Sequence, residues 1–120
     1  MTLNKIIELL KAEPLCISDP NCLHRSFEHV SATDLMSDAL ALVQSDSEKT
    51  ILVTGLVHAQ SLRTAEMLDI NVVVYVRGKI MSEHDHQLAK EMGMNVFTTK
   101  ASMYDACGIL YSNGLLTAVV

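Results

Sequence analysis

Hydrophobic residues along the chain occur either at helical spacing, three and four positions apart, or in short continuous runs, and the two patterns separate helices from strands. Near the N-terminus, apolar residues recur three and four positions apart at Leu3, Ile6, Ile7 and Leu10. This spacing predicts a helix over residues 2–11, with Thr2 as its N-cap. The same rhythm predicts four more helices, over residues 33–44, 59–68, 82–92 and 102–112. Thr33 or Asp34 is the expected cap of the second helix, and Ser82 that of the fourth.

Three short apolar runs rich in β-branched residues interrupt the helical pattern, at residues 50–54, 71–76 and 95–98. Almost every position in them is apolar, which is typical of strands covered on both faces. Helices alternate with these strands through short connections. The chain is therefore predicted to be an α/β protein with a mainly parallel central sheet and helices on both faces.

Two segments are less regular. Residues 14–29 are rich in turn-forming residues, and short strands are expected at residues 15–17 and 28–32. Residues 115–120 form an apolar tail that is expected either to add an edge strand or to lie in an oligomer interface.

Two of the predicted helices have a clear apolar side. In the second helix it is expected to consist of Leu35, Ala39, Leu42 and Val43. In the last helix it is expected to consist of Met103, Ala106, Cys107, Leu110 and Tyr111.

The composition narrows the class of protein. The chain has 120 residues, which suits one domain, and 49% of them are hydrophobic. Its net charge is −5 with nine Lys and Arg, so nucleic acid is not an expected partner. No apolar run reaches the roughly 20 residues of a membrane span, and no signal peptide is evident. A cytoplasmic protein without a membrane partner is expected, with its three cysteines as free thiols.

Polar and basic residues follow each of the three clear strands. The carboxyl ends of parallel strands share one edge of a sheet, and ligands of such sheets bind there. The sequence therefore predicts an anion site for phosphate or carboxylate from eight residues: Thr54, Gly55, His58, Arg77, Gly78, Lys79, Thr99 and Lys100. The alternative is that these loops are polar because loops usually are, and that the glycines only permit turns.

Catalytic and cofactor motifs are missing from the sequence. The segment VTGLVHAQ has one glycine, so it supports neither a dinucleotide fold nor a P-loop. Residues 83–86 (EHDH) lie at a predicted helix start, where His84 and His86 point in different directions and would not share a metal ion. Cys107 lies in an apolar stripe without a histidine partner. We expect no catalytic residues, no metal and no cofactor.

Residues 31–114, about 70% of the chain, resemble the DRTGG domain family. The matching segments are SATDLMSDALA, ILVTGLVHAQSLRTAEMLDINVVVYVRGK and LAKEMGMNVFTTKASMYDACGILYSNG. Thr54, Gly55 and Gly78 match the family pattern, whereas Leu56 and Val57 stand where the family usually has Asp-Arg. Val76-Arg77-Gly78, or the same segment in a neighbouring register, replaces the Thr-Gly-Gly of the name. A ligand role tied to the replaced residues is therefore not carried over.

The resemblance implies a three-layer α/β/α sandwich, related to the N-terminal domain of HPr kinase/phosphorylase. It also implies one DRTGG-like domain over residues 1–120 that acts as a regulatory module, often dimerises and has no catalysis of its own. Short stand-alone relatives occur beside hydrogenase and kinase-like ATPase components, which suggests a protein partner from such a system. The expected function is a non-catalytic, dimeric interaction module for a partner protein or a small anionic ligand. The alternatives are a nucleotide or phosphate-ligand sensor and an enzyme with an unfamiliar site.

Overall fold

A six-stranded sheet organises the computed structural model of the chain, which describes residues 1–43 and 46–118 except for the side chain of Leu42. The strands are β1 (Glu13–Ile17), β2 (His29–Ala32), β3 (Thr50–Thr54), β4 (Val72–Tyr75), β5 (Asn95–Thr98) and β6 (Leu116–Thr117). Their spatial order is β1-β5-β4-β3-β2-β6. All neighbours pair in parallel except β1, which runs antiparallel to β5 at one edge.

Helices cover both faces of this sheet. They are α1 (Leu3–Leu10), α2 (Met36–Leu42), α3 (Ala59–Met67), α4 (Glu83–Glu91) and α5 (Met103–Ser112), with 3₁₀ turns at Pro20–His24 and Ser47–Lys49. Helices α1 and α5 pack on one face, and α2, α3 and α4 pack on the other. The predicted three-layer α/β/α sandwich with a mainly parallel sheet is confirmed.

Each face of the sheet carries its own hydrophobic core, because successive side chains of the central strands point to opposite faces. Ile51 and Val53 of β3 face the layer of α1 and α5, whereas Leu52 between them faces α3. These three side chains are fully buried. Burying a side chain of this size contributes about 1.5–3 kcal/mol relative to exposure, so the continuous apolar runs account for the burial of the sheet on both faces.

The irregular N-terminal segment forms the two short strands expected of it. β1 covers the edge of β5, and β2 pairs with β3 from His29↔Thr50 to Ala32↔Val53. Between the two strands, the Asp19 carboxylate accepts a hydrogen bond from Asn21 N–H and caps a 3₁₀ turn. Helix α1 ends beside Thr99, the residue that follows β5, because the Leu10 carbonyl accepts a hydrogen bond from the Thr99 hydroxyl. β1 therefore starts where β5 ends and runs antiparallel to it.

The second helix differs from its prediction. It begins at Met36, and its N-cap Leu35 makes no side-chain capping hydrogen bond. The Thr33 hydroxyl instead accepts from Leu35 N–H, and Asp34 reaches another strand. Leu35 was predicted on the apolar side but is 57% exposed. The predicted end at Gln44 and the side chain of Leu42 lie outside the described residues.

The C-terminal region confirms one expectation and corrects another. Leu116 and Thr117 add the edge strand β6 beside β2, as expected, whereas Val119 and Val120 lie outside the described part of the chain. Tyr111 was placed on the apolar stripe of α5 but is 78% exposed, because the buried stripe is confined to Ala106 and Leu110. No helix in the described residues is both long enough and apolar enough to cross a bilayer.

Candidate functional site

The three loops predicted to form a site do lie side by side. In the register of the sheet, Tyr75 of β4 pairs with Thr54 of β3 on one side and with Thr98 of β5 on the other. The strands therefore end at the same level, and the loops that follow them share one edge. We use the name carboxyl-edge cluster for the eight predicted residues at this edge: Thr54, Gly55, His58, Arg77, Gly78, Lys79, Thr99 and Lys100.

Side-chain hydrogen bonds tie the loop after β4 to its neighbours. The Lys79 ammonium donates to the Gly55 carbonyl oxygen at 2.7 Å, across the end of β3. The Thr98 hydroxyl donates to the Lys79 carbonyl oxygen at 2.7 Å, from the end of β5. Lys79 therefore bridges loops, and its charge already has a protein partner.

Backbone hydrogen bonds join the loops after β4 and β5. Arg77 N–H donates to the Ala101 carbonyl at 2.8 Å, and Gly78 N–H donates to the Thr99 carbonyl at 2.7 Å. These amides are used within the protein and are not free to cradle a phosphate. An anion at this edge could therefore not use these two amides.

Asp34 organises the end of β3, a role that its position in the sequence did not indicate. Its Oδ1 accepts a hydrogen bond from Gly55 N–H at 2.6 Å and another from the Thr54 hydroxyl at 3.3 Å. The Thr54 oxygen in turn accepts from Leu56 N–H. An Asp just after a parallel strand was interpreted as a helix cap because that is its commoner use.

Arg77 is the most unusual residue of the cluster. Its φ is +62°, followed by Gly78 at +67°, and Lys79 N–H donates back to the Val76 carbonyl. This is a type I′ turn, whose first central position rarely holds a long side chain because left-handed backbone costs a non-glycine residue about 1–2 kcal/mol. Strain of this kind clusters at functional positions.

The Arg77 guanidinium lies directly against Gly55. A Cβ atom at position 55 would be 2.6 Å from Arg77 Nη2 and 3.1 Å from Asp34 Oδ1. The side chain is exposed, and it has no hydrogen-bond or ion-pair partner among the residues that the structure describes. Gly55 thus provides the space in which an unpaired guanidinium lies next to the end of β3.

The other cluster members divide into occupied and available groups. His58 is the N-cap of α3, because its Nδ1 accepts from Gln60 N–H at 3.1 Å. The Thr99 hydroxyl is buried and donates to the Leu10 carbonyl at 2.7 Å. Lys100 is exposed, and its stem passes 3.7 Å from the position of a Cβ on Gly78. Arg77 and Lys100 are thus the cluster's two cations that face solvent without a described partner.

A groove of about 830 Å³ continues from the cluster onto the face of α1 and α5. It is lined by Leu9, Leu10, Lys11, Thr99, Lys100, Ala101, Tyr104, Asp105, Gly108, Ile109, Ser112 and Asn113. We call it the α1–α5 groove. Sequence reasoning found Thr99 and Lys100 but missed Lys11 and Tyr104, because periodicity does not show which helices pack together.

Two of the three cysteines in the described part of the chain have thiols with raised pKa values. Burial raises the pKa of the Cys107 thiol. Burial, followed by the charge of Asp19, likewise raises the pKa of Cys22. Thiols with raised pKa values are poor nucleophiles at neutral pH. His86 Nε2 lies 3.0 Å from the Leu15 carbonyl oxygen. Within residues 1–43 and 46–118, no three His, Cys, Asp or Glu side chains are grouped to hold a metal ion.

The chain matches no protein-family model and no curated protein sequence. Its fold is similar to that of a crystal structure of the CBS and DRTGG domains in the regulatory region of Clostridium perfringens pyrophosphatase, complexed with the activator diadenosine tetraphosphate. The TM-score is 0.68 and the identity 21%, over 91% of this chain. The match spans 45% of that structure, so this chain corresponds to less than half of it. A similarity at this identity establishes the fold.

Proposed function

We propose that the chain is a non-catalytic regulatory module of the DRTGG type, which binds a small anionic ligand through the carboxyl-edge cluster. The observation that carries the proposal is the Arg77 guanidinium. It is exposed and unpaired among the described residues, and it lies against Gly55 on a strained turn. Lys100 supplies a second cation at the same edge. A guanidinium can bind phosphate or carboxylate through two parallel hydrogen bonds.

The fold supports a regulatory role. The similar structure is a regulatory region with a bound nucleotide activator, and it lies outside the catalytic part of its enzyme. The sequence resemblance to DRTGG domains leads to the same class of module. Within the cluster, His58 caps α3 through its Nδ1, so this side chain has a structural use.

The test is thermal unfolding in the presence of phosphate, pyrophosphate, nucleotides and dicarboxylates. A ligand at 100 times its Kd stabilises a folded protein by about 2.7 kcal/mol, which raises the Tm by roughly 10 °C for a domain of this size. Arg77→Ala should abolish the rise. Arg63→Ala is the matched control, since it removes an exposed arginine from α3, away from the loops. A rise that survives in Arg77→Ala, or no rise with any of these anions, would refute the proposal.

Gly55→Ala provides an independent test of the same site. The added methyl displaces the guanidinium, which is the flexible end of a side chain, and moves the Asp34 carboxylate by a few tenths of an ångström. Ligand binding should fall, and the Tm of the free protein should fall by less than in Asp34→Ala, which loses both hydrogen bonds of that carboxylate.

A second candidate function is self-association through the face formed by α5 and β6. Leu116 is 59% exposed and Tyr111 78% exposed, and both line an apolar recess of about 210 Å³ beside β6, the last strand in the order of the sheet. Exposed apolar groups beside an edge strand favour association. The measurement is the mass in solution of the wild type and of Tyr111→Ser/Leu116→Ser. Met67→Ser, at a 71% exposed residue of α3, is the control. A monomeric wild type would exclude this candidate.

A further inference from the structure

The α1–α5 groove has more room than a simple anion needs. Its volume of about 830 Å³ lies within the range of sites for cofactor-sized molecules. Neither Arg77 nor Gly55 lines it, and Lys100 lies where the groove meets the carboxyl edge. The groove is therefore a separate feature, and the inference drawn from it goes beyond the function proposed above.

Two cations lie at one end of the groove. Lys11 follows α1 in a left-handed conformation with φ +52°, and Lys100 opens the loop before α5. Both are exposed. The Thr99 hydroxyl ties the two elements together by donating to the carbonyl of Leu10, the residue before Lys11. Lys11 and Lys100 therefore line the same groove from two neighbouring elements, in a protein whose net charge is −5.

An aromatic ring and an empty space lie farther along the groove. Tyr104, in the first turn of α5, is 85% exposed, so its ring has little protein packed against it. Gly108 lies one turn later, and a Cβ there would meet no atom within 4 Å. Tyrosine rings that face solvent beside an open space are suitable for stacking with a planar group. Asp105, the residue after Tyr104, is the acidic group of the lining, and a carboxylate accepts hydrogen bonds from hydroxyl groups.

We propose that the α1–α5 groove binds a phosphorylated aromatic compound of the nucleotide type. The phosphate lies between Lys11 and Lys100, and the planar ring stacks on Tyr104 above Gly108. The sugar hydroxyls face Asp105. Lys100 lies before α5, Tyr104 and Asp105 are neighbours in its first turn, and Gly108 lies one turn farther. The two cations and the open space at Gly108 are therefore at different ends of the groove, as the phosphate and the base are at different ends of a nucleoside monophosphate.

Binding is measured by calorimetry with AMP, GMP, CMP, UMP and flavin mononucleotide, each titrated to roughly 5 mM so that a millimolar Kd is still detected. Adenosine, which lacks the phosphate, and ribose 5-phosphate, which lacks the base, are titrated in the same way for comparison. We expect at least one nucleotide to bind, and each half to bind at least about tenfold more weakly.

Tyr104→Ala should weaken binding about 5- to 140-fold, which is stacking energy of about 1–3 kcal/mol converted at 1.4 kcal/mol per tenfold. Met67→Ala is the control, because it removes a large side chain that is 71% exposed from α3, which packs on the other face of the sheet. Gly108→Met should block the groove and leave the fold intact, since its side chain extends into open space. Lys11→Gln should weaken nucleotide binding, whereas Lys90→Gln on α4 should not.

The outcomes separate this inference from the function proposed above. Nucleotide binding that is lost in Gly108→Met and retained in Arg77→Ala supports the groove. Binding that is lost in Arg77→Ala and retained in Gly108→Met overturns the groove and leaves the carboxyl-edge cluster as the site. If none of the five nucleotides binds, the groove proposal fails, whatever phosphate or pyrophosphate does at Arg77.

Discussion

Asp34 offers a sharp test of how the carboxyl edge is built, because one of its carboxylate oxygens accepts two hydrogen bonds from the end of β3. The donors are Gly55 N–H at 2.6 Å and the Thr54 hydroxyl at 3.3 Å. Both donor residues are buried, so Asp34→Ala would leave them without this acceptor. A hydrogen bond to a charged group contributes about 1.5–3 kcal/mol, and leaving a buried donor unsatisfied costs a similar amount.

The expected loss is about 2–3 kcal/mol in total. The short bond to Gly55 contributes most of it, and the longer bond to Thr54 contributes less because its geometry is poorer. Asp34 itself is exposed, so water replaces part of the interaction and keeps the sum at the low end. For a domain of 120 residues this corresponds to a Tm lower by about 8–12 °C.

The assay is urea unfolding followed by circular dichroism, with the slope m compared between variants. Asp34→Asn keeps an uncharged acceptor at Oδ1 and should lose only about 1 kcal/mol. Asp38→Ala, at the next acidic residue along the chain, is the control and should change stability by less than about 1 kcal/mol. A loss below about 0.5 kcal/mol in Asp34→Ala, or equal losses in Asp34→Ala and Asp34→Asn, would refute the reasoning.

Three further predictions concern the helices and the core. Gly108→Ala should raise the free energy of unfolding by about 0.5–1 kcal/mol, because the position lies inside a helix and the new methyl meets no atom. Gly93→Ala should lower the free energy of unfolding, because φ is +71° at this residue. Urea unfolding of both variants shows whether the two changes have opposite signs. Tyr75→Phe should cost about 0.5–1.5 kcal/mol by the same measurement, since the buried hydroxyl is 2.9 Å from Ser61 Oγ. Cys107 should react with iodoacetamide more slowly than glutathione at pH 8, because a raised pKa leaves less thiolate, and the rate should keep rising with pH beyond the range of an ordinary thiol; equal rates at pH 8 would contradict this.

Much of the fold could be predicted because local signals agree with the tertiary structure. The β-branched runs became β3, β4 and β5 within one or two residues of the expected bounds. The hydroxyl of Thr2 accepts from Lys5 N–H, and that of Ser82 from Asp85 N–H, as a cap should. The direction of β1 was not predictable in the same way, since an apolar run does not encode whether it pairs parallel or antiparallel.

The location of the candidate site was predictable, but the sequence did not show which of its cations have a protein partner or which backbone conformation Arg77 adopts. Strand order places the loops together, so the carboxyl edge follows from the alternation of elements. Contacts between the loops decide which cations have a protein partner. Lys79 donates a hydrogen bond to the Gly55 carbonyl, whereas Arg77 has no partner among the described residues. The left-handed backbone of Arg77 has no sequence signal, because such turns usually carry Asn, Asp or Gly at that position.

The hydrogen bonds that join the loops after β3, β4 and β5 have a consequence for kinetics. Loops that are already tied to each other have little conformational entropy left to lose, so a ligand would not have to order them first. Under the function proposed above, an anion held by exposed side chains is not enclosed, and we expect it to dissociate readily and its occupancy to follow its concentration in solution. Such a surface is better suited to reporting the level of a small molecule than to retaining one.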